Sequence, residues 1–362
     1  MANTHGGLII LGVLDDGTIE GVPLDSEKVQ ERLTNALQNG LSRPVRARLG
    51  RQQDPSGWVH WIQIDRMRGP EPITYSGRVY VRRGRSSAEP EMTELQELYN
   101  VFGLVLTEER IIPNTTVADI EGEAFRALML RRGVDLRQGV ALPFETDLRN
   151  REVLDEDIDG VLRSTLFGLL CFGRSPQDHA PTRSFWIDLV AYAGRSRAHE
   201  VLSAAQARGR LDEQVKRAED WLRSLGRQER YEGLERHDLW ILPPKAVREC
   251  LVNAVAHRDY SILGARILVE VFDDRVAFTS PGALPNHKRP ESVLAGWVPR
   301  SRNEAIANVL FDLGLMEQRG SGYPKISREM LAFNDTAPLL EHDRDERWVR
   351  VTLSRSAATP PR

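Results

Sequence analysis

Three polar residues on one face of a helix constrain this chain more than any other feature. Glu249, Asn253 and His257 recur at four-residue steps in the stretch Glu249-Cys-Leu-Val-Asn-Ala-Val-Ala-His257. At about 3.6 residues per turn each step drifts only about 40°, so the three share one face of a predicted helix. Val247, Leu251, Ala254 and Val255 supply the apolar stripe on which that helix packs. A carboxylate, an amide and an imidazole on a half-buried helix are costly unless they bind something. Taken alone, Glu249 and Asn253 also suit a solvated helix face, and His257 a bond that ties the following loop.

The next elements suggest what is bound. Residues 266–272 read as a strand, Asp273-Asp274 as a turn, and residues 275–280 as a second strand leading into Pro281-Gly282-Ala283-Leu284-Pro285. Further on comes a second glycine cluster, Arg319-Gly320-Ser321-Gly322-Tyr323-Pro324-Lys325. Such glycines let backbone amides surround a phosphate, and the start of a following helix adds partial positive charge.

This order resembles the GHKL ATP-binding fold of gyrases, mismatch-repair proteins, heat-shock chaperones and sensor histidine kinases. It is similar in particular to the bacterial RecG-like ATP-binding group, often attached to a Schlafen AlbA-type domain. Asn253-Ala-Val-Ala-His-Arg-Asp-Tyr260 and Ser280-Pro-Gly-Ala-Leu-Pro285 look like that group's helix and first glycine turn. Residues 299–303 and 313–322 look like its lid and second glycine box. The resemblance implies that Asn253 ligates Mg²⁺ through its side-chain oxygen and that Glu249 orients or deprotonates an attacking water. It implies a nucleotide cradle shaped by Gly282, Gly320, Ser321 and Gly322, with His257 and Arg258 reaching a phosphate or tying the loop. Ordinary family members start the first glycine box with an Asp that accepts from adenine. Ser280 stands nearest to that position here, and a hydroxyl is a weaker and less selective partner. ATP and Mg²⁺ are the expected cofactors.

The N-terminal region carries its own pattern. Residues 2–13, Ala2-Asn-Thr-His-Gly-Gly-Leu-Ile-Ile-Leu-Gly-Val13, read as a turn and a buried strand; Asp15-Asp16-Gly17 reads as a hairpin turn and residues 18–22 as the returning strand. A helix is expected over residues 25–39, and strands over 45–50, 58–65 and 78–83. Together with Val79-Tyr-Val-Arg-Arg-Gly-Arg-Ser-Ser87 this resembles the Schlafen AlbA-type domain, over roughly residues 1–98. Members bind nucleic acid, and some cut RNA with carboxylates placed ahead of the first turn. Met1 stands directly at that turn, so Asp15, Asp16 and Glu20 are read as turn and solvent-face residues. Arg78, Arg82, Arg83 and Arg85 cluster near one strand end, and Arg43, Arg46, Arg48 and Arg51 decorate an earlier strand. Arginine forks suit phosphates, with DNA or RNA as partner; the alternative is a charged sheet edge protected against aggregation.

The middle third reads as a mixed α/β connector. Helices are expected at 119–132 and 211–225, an apolar segment at 162–173 and a strand at 185–192, while 146–155 reads as polar and broken. The expected organisation is α/β (α+β): an AlbA-like domain over 1–98, a connector over 99–230, a GHKL-like α/β sandwich over 231–355, and a frayed tail over 356–362. A net charge of −3 argues against a uniformly basic nucleic-acid glove. Cys171 and Cys250 lack metal-ligand spacing and read as reduced core thiols, which points to the cytoplasm, with no membrane segment. Three functions fit this reading. The chain is an ATP-gated, nucleic-acid-associated regulator that can pair as a nucleotide-dependent homodimer, an ATPase with Glu249 as base, or a Schlafen-like nuclease or its remnant.

Overall fold

A computed structural model describes residues 1–4, 6–22, 26–45, 47–65, 72–83, 86–92, 94–95, 98–99, 107–134, 136, 143–226, 228–232, 235–239, 241–284, 290–296, 301–316, 322–343 and 345–355. The chain divides into two compact units, Met1–Val105 and Leu106–Arg362.

The first unit is built on β1 (Gly7–Leu11), helix α1 (Ser26–Gln38), β2 (Ala47–Asp54) and β3 (Gly57–Ile64). The three strands form an antiparallel sheet in the order β1-β3-β2. Side chains alternate across it. His60 and Ile62 point to the buried face, at 0% and 4% exposure. Burial, with Arg51 opposite, lowers the His60 imidazole below its ordinary value, so this is a neutral core histidine. The expected returning strand over 18–22 is reduced to two single bridges, Val13 with Ile19 and Val22 with Trp58. Gly21 holds a φ of +72° and presses against Gly57, which breaks the extended backbone there.

Four short strands complete the unit: β4 (Thr74–Tyr75), β5 (Arg78–Val79), β6 (Val81–Arg83) and β7 (Ser86–Ala88). They pair as two hairpins. Asn3 binds this region to the N-terminal turn. Its amide donates to the carbonyls of Ile73 (2.8 Å) and Tyr80 (3.1 Å) and accepts from the Ile73 N–H (2.8 Å). Asn3 is 6% exposed, so Asn3→Ala leaves these backbone groups without their partner. The expected loss is about 2–3 kcal/mol of stability in this unit, read by denaturant unfolding. A loss below about 0.5 kcal/mol would show that the clamp is not formed in solution.

The second unit contains α2 (Gly122–Arg131), α3 (Phe144–Asn150), β8 (Leu154–Glu156), β9 (Leu162–Ser164) and α4 (Leu166–Phe172). Every residue of α4 is buried, and Thr165 caps it by accepting from the Gly168 N–H at 2.9 Å. Residues 146–150, the first part of the 146–155 stretch expected to be broken, belong to the helix α3, whose Leu148 is fully buried. Phe125 packs edge-to-face on Phe144 and Phe172.

Next come β10 (Ile187–Tyr192), β11 (Val201–Ala207), α5 (Leu211–Leu225), the hairpin β12 (Gln228–Glu232) and β13 (Glu235–Leu239), and α6 (Pro244–Ala256). β14 (Ile267–Val271), β15 (Arg275–Pro281), α7 (Pro290–Leu294), α8 (Glu304–Asp312), α9 (Gly322–Asn334), β16 (Leu339–Asp343) and β17 (Trp348–Ser354) follow. A six-stranded sheet runs in the order β11-β10-β14-β15-β17-β16, with β10 and β14 parallel and the other pairs antiparallel. α6 packs on β15 and is flanked by α5 and α9. The fold is mixed α/β, and the expected boundary at 230–231 runs inside this unit, because connector strands β10 and β11 belong to the same sheet as β14–β17. The strand β11 has no counterpart among the expected elements. Cys171 and Cys250 are buried free thiols, and burial pushes both well above the ordinary thiol value. Among the described residues no helix is long and apolar enough to cross a membrane.

Candidate nucleotide site

Pro243 and Pro244 start α6, where a missing N–H costs nothing. The buried stripe Val247, Leu251, Ala254 and Val255 seats the helix. Glu249 lies one turn before Asn253, and the Asn253 amide donates to Glu249 Oε1 at 3.2 Å. Glu249 is 3% exposed, while Asn253 is half-buried. The start of α9 meets this pair. A Cβ on Gly322 would run into Glu249 Oε1 and would stand 3.3 Å from the Asn253 amide nitrogen. Two oxygen-bearing side chains therefore face a helix N-terminus, where backbone N–H groups and the helix dipole favour negative charge.

The C-terminal end of α6 is a packed joint. His257 is exposed and its N–H closes the last turn on the Asn253 carbonyl at 3.0 Å. Arg258 corrects the phosphate expectation. It is 1% exposed and donates to the carbonyls of Asp259 (3.0 Å), Ile262 (3.0 Å) and Ala265 (2.8 Å). Its guanidinium lies 4.0 Å from the Phe185 ring centre and 4.9 Å from that of Tyr260. Burial pulls its pKa down to about 10, which leaves it charged at neutral pH. Arg258 ties the loop, the other role open to it in the sequence.

Ser280 is also committed elsewhere. Its hydroxyl donates to the Ala254 carbonyl at 2.8 Å and fastens β15 to α6. Gly282 follows with a φ of +117°, and a Cβ there would stand 2.6 Å from Asp259 Cβ and 2.7 Å from an Arg302 nitrogen. Only glycine fits both the conformation and the space. The Gly282 N–H donates to the Arg347 carbonyl at 2.7 Å.

Sequence reasoning missed the centre of this joint. Asp259 Oδ2 pairs with Arg302 at 2.8 Å and Arg347 at 3.0 Å, and its Oδ1 accepts from the Ser261 hydroxyl at 2.6 Å. Burial pushes the Asp259 carboxyl up, but Arg302, Ser261 and Arg347 outweigh it and hold the group below the ordinary value. Asn303 adds a second tie, donating to the carbonyls of Ala256 (3.0 Å) and Arg258 (2.8 Å). Directly after it, Glu108 caps α8 by accepting from the N–H groups of Ala305 (3.0 Å) and Ile306 (3.1 Å). Asp259 sits inside the quoted motif and Arg302 inside the expected lid, so both could have been flagged. Nothing local marks Glu108 or Arg347.

Gly320 and Ser321 lie outside the described residues, as does Arg85 of the arginine cluster and Arg46 of the earlier strand. Of the cluster, Arg78 is exposed and pairs with Glu89 at 2.6 Å. Arg83 pairs with Glu94 and lies 3.7 Å from Glu91, while Arg82 is half-buried. The charge expected to meet phosphates is partly answered by carboxylates on the same unit. Asp16 behaves as a turn residue, its Oδ1 accepting from the Thr18 N–H at 2.9 Å.

Residues 1–91 match the family model described as "Schlafen, AlbA_2". Residues 264–353 match the model described as "Putative ATP-dependent DNA helicase recG C-terminal". The chain joins a Schlafen AlbA-type domain to a RecG-type C-terminal ATPase-like domain. The RecG-type match takes in Ser280, Gly282 and the 320–322 glycine box, and begins just after α6. The crystal structure of the DIP2311 protein from Corynebacterium diphtheriae shares the fold. It is 23% identical with a TM-score of 0.52, covering 98% of this chain and 68% of that one. Among curated proteins none matches.

Proposed function

We propose that the RecG-type domain binds Mg²⁺-ATP at the meeting of α6 and α9, and that nucleotide occupancy sets the grip of the AlbA-type domain on nucleic acid. The observation that carries this reading is the Glu249–Asn253 pair set against the start of α9, with no room for a Cβ at Gly322. The donors fit a magnesium nucleotide. Asn253 offers an amide oxygen, Glu249 a carboxylate, and Mg²⁺ is commonly held by one or two protein oxygens together with phosphates. Bound Mg²⁺-ATP would supply the charge that this helix start receives. Where hydrolysis follows, Glu249 would orient or deprotonate the water. His257, exposed beside the pair, is the remaining phosphate candidate, and Gly320 and Ser321 would complete the cradle.

Gating is a population shift, so nucleotide must bind one state more tightly than the other. Arg78, Arg82, Arg83 and Arg85 are assigned to backbone contact with nucleic acid on this reading. Calorimetric titration with ATP and Mg²⁺ tests the site. Saturable binding is expected for the wild type, and at least a tenfold loss (about 1.4 kcal/mol) for Asn253→Ala. Equal affinity in the two proteins would move the nucleotide elsewhere. The same titration, followed by light scattering and by oligonucleotide anisotropy, reads whether two copies associate and whether nucleic-acid affinity changes with ATP.

A further inference from the structure

The AlbA-type domain presents a second surface, distinct from its arginine cluster. Strand alternation puts His60 and Ile62 on the buried face of the β1-β3-β2 sheet, so Val59, Trp61 and Gln63 point to the opposite face. On the neighbouring strands the partners of Gln63 and Trp61 are Leu8 and Ile10 on one side and Arg48 and Gly50 on the other. Leu8 is 54% and Ile10 47% exposed, so this face is open, and Arg48 and Gln63 are exposed with them. Large apolar side chains grouped on an open sheet face mark an interaction site.

The indole of Trp61 lies across Gly50, where a Cβ would collide with its ring atoms. The absent side chain lets the ring spread over the neighbouring strand. At the same parity on β2 and β3 stand one guanidinium, Arg48, and two amides, Gln52 and Gln63. The only acid at this strand parity, Asp54, sits at the hairpin end, where its Oδ1 accepts from the Ser56 N–H at 3.0 Å. An aromatic platform, apolar flanks, a phosphate-suited guanidinium and amides able to read base edges are the features that hold unstacked bases.

We propose that this sheet face binds single-stranded nucleic acid, with a base stacked on Trp61 and the backbone steered by Arg48. The proposal deepens the nucleic-acid reading above and rests on it. A double helix does not fit the same way, because its bases are stacked on one another and offer no free ring face.

Anisotropy titrations with labelled oligo-dT, oligo-U and a duplex of equal length test it, on the full chain at low salt. Wild type is expected to bind the single strands more tightly than the duplex. Trp61→Ala should weaken single-strand binding about tenfold or more, and Trp61→Phe should retain most of it. Gln63→Glu, an exposed change that leaves the core untouched, should weaken it too by placing a negative charge beside the backbone. Single-strand affinity equal to wild type in Trp61→Ala and Gln63→Glu, while Arg78→Ala and Arg83→Ala lose binding, overturns the proposal and leaves the nucleic-acid reading standing. No binding of any oligonucleotide by wild type overturns both. Self-association of wild type that Gln63→Glu abolishes without nucleic acid would assign the face to a second copy and overturn the proposal. Comparison of oligo-dT with oligo-U decides between DNA and RNA.

Discussion

Arg258→Ala is expected to destabilise the RecG-type unit by about 4 kcal/mol or more, since a hydrogen bond from a charged donor is worth roughly 1.5–3 kcal/mol and three carbonyls lose theirs. The guanidinium also fills the space between Phe185 and Tyr260, so packing is lost along with charge. Arg258→Lys should recover little, because one ammonium cannot reach three carbonyls and stack on two rings together. Hydrogen exchange over residues 244–281 separates this effect from unfolding of the AlbA-type unit. A loss below about 1 kcal/mol, with nucleotide affinity abolished, would return Arg258 to a phosphate-binding role.

The second large effect is expected at Asp259. Asp259→Asn keeps the shape of the side chain but leaves Arg302 and Arg347 without their counter-charge. Removing one partner of a buried pair costs about 3–5 kcal/mol. The acid dependence follows from the depressed carboxyl. Its native pKa lies below the unfolded value of about 3.9, so its stabilisation is complete above that value and is lost as pH falls through the native one. Wild type and Asp259→Asn should therefore differ by a constant amount between pH 7 and about 5 and converge on further acidification. A gap that persists unchanged at pH 3 would mean that the ion pair is not what holds the joint. Because Gly282 packs on Asp259, the variant should also disturb the first glycine turn.

Local patterns in the sequence carried most of the elements. The 211–225 helix coincides with α5, whose Leu211, Val215, Ala218 and Leu222 are buried as a stripe. Residues 266–272 and 275–280 became β14 and β15 because each is a short apolar run bounded by turn residues. The strand β11 escaped notice because Ser203, Ala204 and Ala205 give small side chains and no apolar-polar alternation on an edge strand. Helix α3 escaped because Thr146, Asp147 and Asn150 read as loop formers, while a single buried Leu148 fixes the helix in place.

The joint around α6 was legible where the helix period sets residues one turn apart, as at Glu249 and Asn253. It was illegible where distant residues meet. Arg347 is 88 positions from Asp259, and Glu108 is 197 from Ala305. Arg258 shows the opposite difficulty. A charged residue beside a nucleotide motif invites a phosphate role, yet its burial is decided by three carbonyls and two rings that no motif displays.

The parallel pairing of β10 with β14 bears on how the polypeptide leaves the ribosome. The AlbA-type unit draws all its strands from the first hundred or so residues and can close early. β10 cannot gain its central partner until residues 193–266 have been made, and β17 joins last. At about 5–20 residues per second, the backbone edge of β10 that pairs with β14 stays open for several seconds of translation. Release of a nascent chain anywhere between residues 193 and 266 leaves that strand edge unpaired, so truncated translation products of this protein are expected to be chaperone clients or aggregates, not smaller working proteins.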